Sequence, residues 1–192
     1  MKRLFKWLGF LVLGLVVLIA VAWLAVTVIS ERRIAKTYDG KTTRPVDLAE
    51  NALVEKWLRQ YSGQGGRVID VGCGTGLMVD MVGDEICEDR YLGVDIAEGM
   101  VDAARVKHPD YQFECGDIRD VAKSAAKSSV GRFDGLVSLN GSMSYLSMSE
   151  LMWCTNALLH DGGWFFIMLY GFNFMENYPW SCLLYTSDAA DE

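Results

Sequence analysis

The chain has 192 residues, 51% of them hydrophobic and 22% charged, with 18 Lys and Arg against 25 Asp and Glu. That is the size of one ordinary domain plus an extra segment, and the apolar content is enough for a buried core, which excludes a disordered chain. The formal charge of −7 divides unevenly: residues 1–36 hold six Lys and Arg against one Glu, a balance of +5, and the remainder stands at −12. An acidic globular part has no electrostatic footprint for a phosphate backbone, so no nucleic acid partner is expected.

Between Lys6 and Glu31 lie 24 residues in which Thr27 and Ser30 are the only clearly polar ones. As helix they would reach about 36 Å, against a hydrocarbon core of about 30 Å. Trp7 sits beside Lys6, where an interfacial aromatic belongs, whereas Trp23 reads as lipid-facing or packed. Two other readings compete: a buried core helix, which rarely stays apolar all round for this length, and a cleaved signal, whose apolar stretch runs about 7 to 15 residues. The expectation is a membrane anchor over residues 1–36 in a single-pass protein. Lys2, Arg3 and Lys6 precede the helix while Arg32, Arg33, Lys36, Lys41 and Arg44 follow it, which leans toward a domain on the cytoplasmic side. Cys73, Cys87, Cys115 and Cys154 make no CxxC pair and no zinc-like spacing, so free buried thiols and no metal site are expected.

Residues 182–192, Cys182 to Glu192, resemble the in-frame translation of a transposase-type sequencing adapter; the competing reading is a flexible acidic tail. Setting them aside leaves residues 37–181, with a charge of −9, as an incomplete domain.

In chain order, Pro45 followed by Ala49, Leu53, Trp57 and Tyr61 at intervals of four predicts an amphipathic helix ended by Gly63 to Gly66. Residues 67–71 predict a short apolar strand, and Leu77 to Val82 a helix opening directly after a glycine loop. A second strand is expected over residues 91–95, a helix over Glu98 to Lys107 stopped by Pro109, and a third strand over residues 111–115. A polar Ala/Ser/Lys connection then leads to a fourth strand over residues 133–139. Ser147 and Glu150 make a capping box for a helix whose Met148, Leu151, Met152, Thr155, Leu158 and Leu159 share an inward face. Asp161 to Gly163 stop it, and residues 164–170 form a fifth, continuously apolar strand. Strands alternating with helices and buried on both faces predict an α/β fold with a doubly wound, mostly parallel sheet. Ligands of such sheets sit in the crevice at the carboxyl ends of the strands, where Asp70 to Gly76, Asp95, Asp117 and Asn140 all fall.

Gly72, Gly74 and Gly76 let backbone turn tightly and approach a ligand. A dinucleotide fingerprint needs glycine where Leu77 stands, and a P-loop needs a Gly-Lys-Ser/Thr that is absent. The pattern Asp70-Val-Gly-Cys-Gly-Thr-Gly76 resembles the first motif of class I S-adenosylmethionine-dependent methyltransferases. Gly93-Val-Asp95, with Ile96 and Met100, is similar to the family's acidic end of strand two, whose carboxylate holds the ribose hydroxyls. Gly116-Asp117-Ile118 resembles the adenine-contacting segment, carboxylate toward the exocyclic amine and the next backbone amide toward the ring. Phe133 to Asn140 resembles strand four, and Gly162-Gly163-Trp164 the entry to strand five, so the likeness covers about residues 45–171.

The resemblance implies a Rossmann-like fold truncated after about strand five, S-adenosylmethionine as cofactor, and transfer of a methyl group from sulfur to a small or lipophilic acceptor. It implies cofactor contacts at Asp70, Gly72, Cys73, Gly74, Gly76, Asp95, Ile96, Met100, Asp117, Ile118 and Asn140. No catalytic base is named by it. Asn140-Gly-Ser-Met143 departs from the Asp/Asn-Pro-Pro-Tyr signature of exocyclic-amine methylating enzymes, which disfavours nucleobase and glutamine acceptors. Asp70 has a competing role bonding loop amides, Asp117 one as a turn cap, and Cys73 reads as a small residue offering its backbone amide. Tyr38 and Tyr145 are assigned to packing, and His108 and His160 to charges at helix ends. Two alternatives stay open: an NAD(P)-linked oxidoreductase on the same sheet type, and a membrane-tethered interaction domain without catalysis.

Overall fold

The computed structural model describes residues 12–26, 29, 30, 33, 45–62, 65–127 and 132–170. Residues 12–26 are helical and form α1. Its large apolar side chains are exposed on every side, from 52% at Val17 to 76% at Trp23. Among the described residues no helix is long and apolar enough to cross a membrane. The basic flanks, Tyr38 and residues 171–192 lie outside the described residues.

The remaining elements run α2 (Pro45–Ser62), β1 (Val68–Val71), α3 (Leu77–Val82), β2 (Tyr91–Asp95), α4 (Glu98–Lys107), β3 (Gln112–Cys115), α5 (Ile118–Ala126), β4 (Phe133–Ser138), α6 (Met148–Leu158) and β5 (Leu159–Ile167). The strands form one sheet in the order β3-β2-β1-β4-β5, every neighbouring pair parallel. Chain order reverses between β1 and β4, where the loops leaving the two strands depart in opposite directions and open a crevice.

Alternation along the strands splits the core between the two faces. Val68 and Val137 join Leu58 of α2, Val82 of α3 and Val101 of α4 on one side. Ile69 and Leu136 join Ala122 of α5 and Leu151 and Leu158 of α6 on the other. The inner strand β1 is buried throughout, whereas the outer strands keep exposed residues: Gln112, Glu114 and Cys115 on β3, His160 and Asp161 on β5. The doubly wound parallel sheet anticipated from the sequence is therefore present over five strands.

Four expectations are corrected. The polar connection after β3 is a helix, α5, capped by Asp117 and burying Ile118, Ala122 and Ala125 at helical spacing; the charged and serine residues between them gave the segment the composition of a loop. On α6 the inward residues are Leu151, Cys154, Thr155, Ala157 and Leu158, while Met148 and Met152 are 67% and 61% exposed. The fifth strand starts at Leu159, with His160 inside it; a register shift opposite Phe133 and Gly135 lets Asp161-Gly162-Gly163 run on as strand. Cys73 and Cys154 are buried free thiols, but Cys87 and Cys115 are exposed.

Leu136 is fully buried on central strand β4. Leu136→Ala is expected to cost about 2–5 kcal/mol. Urea denaturation followed by circular dichroism checks this, a loss below 1 kcal/mol indicating a loosely packed centre.

Candidate functional site

The glycine loop leaves β1 at Val71 and climbs over the end of β2, where Gly72 and Cys73 donate their amides to the Val94 carbonyl at 2.7 and 3.1 Å. The loop emerging from β4 meets it from the other side. Gly72 has φ +73°, and a Cβ built on it would sit 2.1 Å from the Cβ of Ser142, so any side chain there would force the two loops apart. The Ser142 hydroxyl lies 2.9 Å from the Leu139 carbonyl and 3.3 Å from that of Gly72, closing the junction. Asn140 and Gly141 precede it with φ of +52° and +73°, a left-handed pair that turns the chain back toward the sheet.

Two hollows flank this junction. The outer one, about 180 Å³, is lined by Asp95, Ile96, Gly116, Ile118, Ser142 and Tyr145 among others. The inner one is a recess bounded by Asp70, Gly72, Cys73, Gly74, Asn140 and Ser142 with Leu77 and Met78 behind. A larger hollow of about 380 Å³ between α6 and the start of β5 contains none of the anticipated site residues.

The acidic residues of this end have different surroundings. Asp70 is 2% exposed and accepts one hydrogen bond, from the Tyr91 hydroxyl at 2.9 Å. Burial pushes its carboxyl up to about 7 against the pull of that hydrogen bond, and the Asp95 charge adds to the rise. Burial likewise pushes the Cys73 thiol well up, which rules it out as a ready thiolate. Asp95 is half-buried and receives the Gly74 amide on Oδ2 and the Ala97 amide on Oδ1, both at 2.9 Å. Bonding to loop amides, the competing role anticipated for Asp70, thus falls to Asp95. Asp117 caps α5, and its carboxylate is turned onto the backbone amide and guanidinium of Arg119.

Of the anticipated contacts, Asp70, Gly72, Cys73, Gly74, Asp95, Ile96, Ile118 and Asn140 line one hollow or the other. Gly76 caps α3 and faces the His108 ring, Met100 lies half-buried on the first turn of α4, and Asp117 points along α5; none of the three lines a hollow. Ser142 and Tyr145 were not among the anticipated contacts. Tyr145 is 59% exposed and borders the outer hollow instead of packing inward. The Asn-Gly turn just after β4 was the available signal for Ser142.

Among the described residues both hollows are lined by carboxylates, backbone, the neutral polar Asn140, Ser142 and Tyr145, and apolar groups, and by no Lys, Arg or His. A glycine loop and acidic strand ends at the switch point of a parallel sheet form the ligand crevice of a Rossmann-like fold. The chain matches the family described as "Methyltransferase domain" over residues 68–163, half its length, and belongs to that family of class I S-adenosylmethionine-dependent methyltransferases.

Among curated proteins it is 26% identical over 140 residues to the carboxy-S-adenosyl-L-methionine synthase of Trichodesmium erythraeum, covering 70% of this chain and 54% of that protein. It is 29% identical over 103 residues to the dTDP-3-amino-3,4,6-trideoxy-alpha-D-glucopyranose N,N-dimethyltransferase of Streptomyces venezuelae, covering 53% and 40%. Among solved structures, the fold resembles S-adenosylmethionine-bound CalS10, an amino pentose methyltransferase from Micromonospora echinaspora, with a TM-score of 0.53 and 24% identity over 71% of this chain and 56% of that one. The chain spans about half the length, or less, of the curated relatives it matches.

S-adenosylmethionine is the cofactor of this family, and the residues present fit it. Its sulfonium and ammonium charges suit hollows lined by Asp70 and Asp95, and its ribose diol suits Asp95.

Two expectations follow. Gly72→Ala is expected to abolish cofactor binding in calorimetric titration. Gly162→Ala, with a similar φ of +79° but open space around the added methyl, should cost about 1–2 kcal/mol and leave binding intact. For Asp70, the carboxyl's value rises from 3.8 to about 7 on folding, so its protonation favours the fold. That contribution is full below about pH 3.8 and is lost as pH rises through about 7. Urea unfolding at pH 5 and pH 8 should show the wild type losing stability relative to Asp70→Asn at the higher pH; parallel profiles would count against a protonated Asp70.

Proposed function

We propose that the protein is a membrane-anchored methyltransferase that uses S-adenosylmethionine and acts on a small or lipophilic acceptor. The observation that carries the reading is the pair of hollows at the β1/β4 switch point, lined by Asp70 and Asp95 and, among the described residues, by no cation, in a chain of this family. Leu77, which stands where a dinucleotide fingerprint needs glycine, disfavours the NAD(P)-linked alternative. The related proteins include one named for an amino sugar and one for malonyl-[acyl-carrier protein], which supports a small or carrier-borne acceptor here.

The cofactor supplies an already activated methyl group on a sulfonium centre. The chain's own task is then alignment: Asp95 holds the ribose edge, the Gly72–Gly74 backbone brings the glycine loop close to the inner recess, and Ser142 fixes the distance between the two loops. Holding two reactants at attack distance is worth a large effective molarity, which needs no strong base.

Membrane anchoring rests on the 24-residue apolar run and on the exposure of the large apolar side chains of α1. A cytoplasmic catalytic domain rests on the heavier basic flank after the run and on where the methyl donor is made.

Calorimetric titration of the full chain with S-adenosylmethionine and with NADH tests the function. Saturable binding of the first, weakened at least about tenfold by Asp95→Ala, and no binding of the second are expected; a folded protein that ignores S-adenosylmethionine refutes the reading. For the anchor, the full chain should float with phosphatidylcholine vesicles and stay with them through a carbonate wash, and recovery in the soluble fraction refutes it. Protease protection of residues 37 onward in cytoplasm-side-out vesicles would overturn the topology.

A further inference from the structure

We propose that His108 is a positioning residue of the cofactor site: its ring occupies the space left by the missing side chain of Gly76 and so holds the far end of the glycine loop against the inner recess. This rests on the cofactor of the proposed function. Gly76 lines neither hollow, yet it stands between Gly74 and Leu77, which both line the inner recess. Its backbone is left-handed at φ +91°, its amide donates to the Cys73 carbonyl at 2.9 Å, and its carbonyl accepts the Asp80 amide at 3.1 Å in the first turn of α3. Loop and helix therefore meet at this one residue. A Cβ built there would lie 2.6 Å from Cδ2 and 3.0 Å from Nε2 of His108, so the imidazole and the bare Cα are matched in size.

The ring is itself held on several sides. Pro109 keeps His108 out of the helical region, at φ −129° and ψ 70°, so α4 ends there. The His108 amide still donates to the Ala104 carbonyl at 2.8 Å, and its carbonyl accepts the Tyr111 amide at 3.2 Å. Tyr111 meets the ring edge-on with centroids 6.3 Å apart, and Phe113 of β3 lies at 6.4 Å. Nε2 stands 3.2 Å from Oδ1 of Asp80, and Lys107 reaches the same carboxylate. The side chain is only 14% exposed, so it is an inward spacer and more than the helix-end charge its place in the sequence suggests. A helix as short as α3, six residues, has little stability of its own, and its neighbours must hold it and the loop that leads into it. His108 is the contact through which α4 and β3 do so at Gly76.

Asp95 sets the nucleoside in the outer hollow, which leaves the amino-acid end of the cofactor for the inner recess. Titration of the full chain with S-adenosylhomocysteine and with methylthioadenosine, which keeps the nucleoside and lacks the amino-acid end, separates the two. His108→Ala leaves a gap beside Gly76 and is expected to weaken S-adenosylhomocysteine about tenfold, while methylthioadenosine stays within about threefold of wild type. His108→Phe, which keeps a ring, should hold both ligands within about threefold. Gly76→Ala should weaken S-adenosylhomocysteine by about tenfold or more, and adding His108→Ala to it should recover at least about threefold, because the new methyl then has room. The same substitution thus harms the wild type and helps the variant, which only a shared space predicts; if Gly76→Ala does not fold, the His108 variants decide. Equal weakening of both ligands by His108→Ala, a His108→Phe protein that binds no better than His108→Ala, or losses that simply add in the double variant overturn the inference. A folded wild type that binds neither ligand instead overturns the proposed function, and the role of His108 falls with it.

Discussion

The geometry of this domain turns on one close approach, that of Gly72 to Ser142 where the loops leaving β1 and β4 meet. Parallel pairing of β1 with β4 brings the two strand ends side by side, and the reversal of chain order there sends the following segments to opposite halves of the molecule. The glycine loop must then lie low over β2, which its bonds to Val94 and Asp95 accomplish, and the β4 loop must turn sharply, which the left-handed Asn140 and Gly141 accomplish. A Cβ at position 72 would interfere with both. Both hollows that make the site border on this junction, so its spacing sets their shape.

Much of this was legible in the chain because it is written in local chemistry. Short apolar runs with turn residues between them located β1, β2 and β4, and Glu98 to Lys107 ended as a helix where the approaching Pro109 requires. The glycine spacing, the acids at strand ends and the family resemblance pointed to eight residues that line the two hollows. What escaped depends on three-dimensional packing. The inward face of α5, Ile118, Ala122 and Ala125, is set among charged residues and serine, so the segment's polar composition outweighed its helical period although the Asp117 cap was visible. Met148 and Met152 satisfy a helical period yet face outward, because Leu151, Cys154, Thr155 and Leu158 already fill the side that meets the sheet. Ser142 is small and polar, and only the approach of another loop gives it a role. Which carboxylate bonds loop amides was likewise open, since that is decided by where the Gly74 and Ala97 amides point.

The three acids at the carboxyl end of the sheet show how far surroundings outrank residue type. Asp70, Asp95 and Asp117 are the same side chain on adjoining strands or loops. One hydroxyl donor and almost complete burial leave Asp70 with its proton up to about neutral pH. Two amide donors at a half-exposed position keep Asp95 in place with lone pairs to spare. A guanidinium and a backbone amide turn Asp117 onto the first turn of α5. Among the described residues no cation lines either hollow, so the carboxylates there set a negative field. A positively charged ligand entering it would find attraction from Asp95 and would draw the Asp70 equilibrium toward the ionised form. An anionic ligand would meet the opposite on both counts. The selectivity of the site for charge follows from which donors reach which carboxylate, and those donors are placed by the glycine loop, β2 and the first turn of α5.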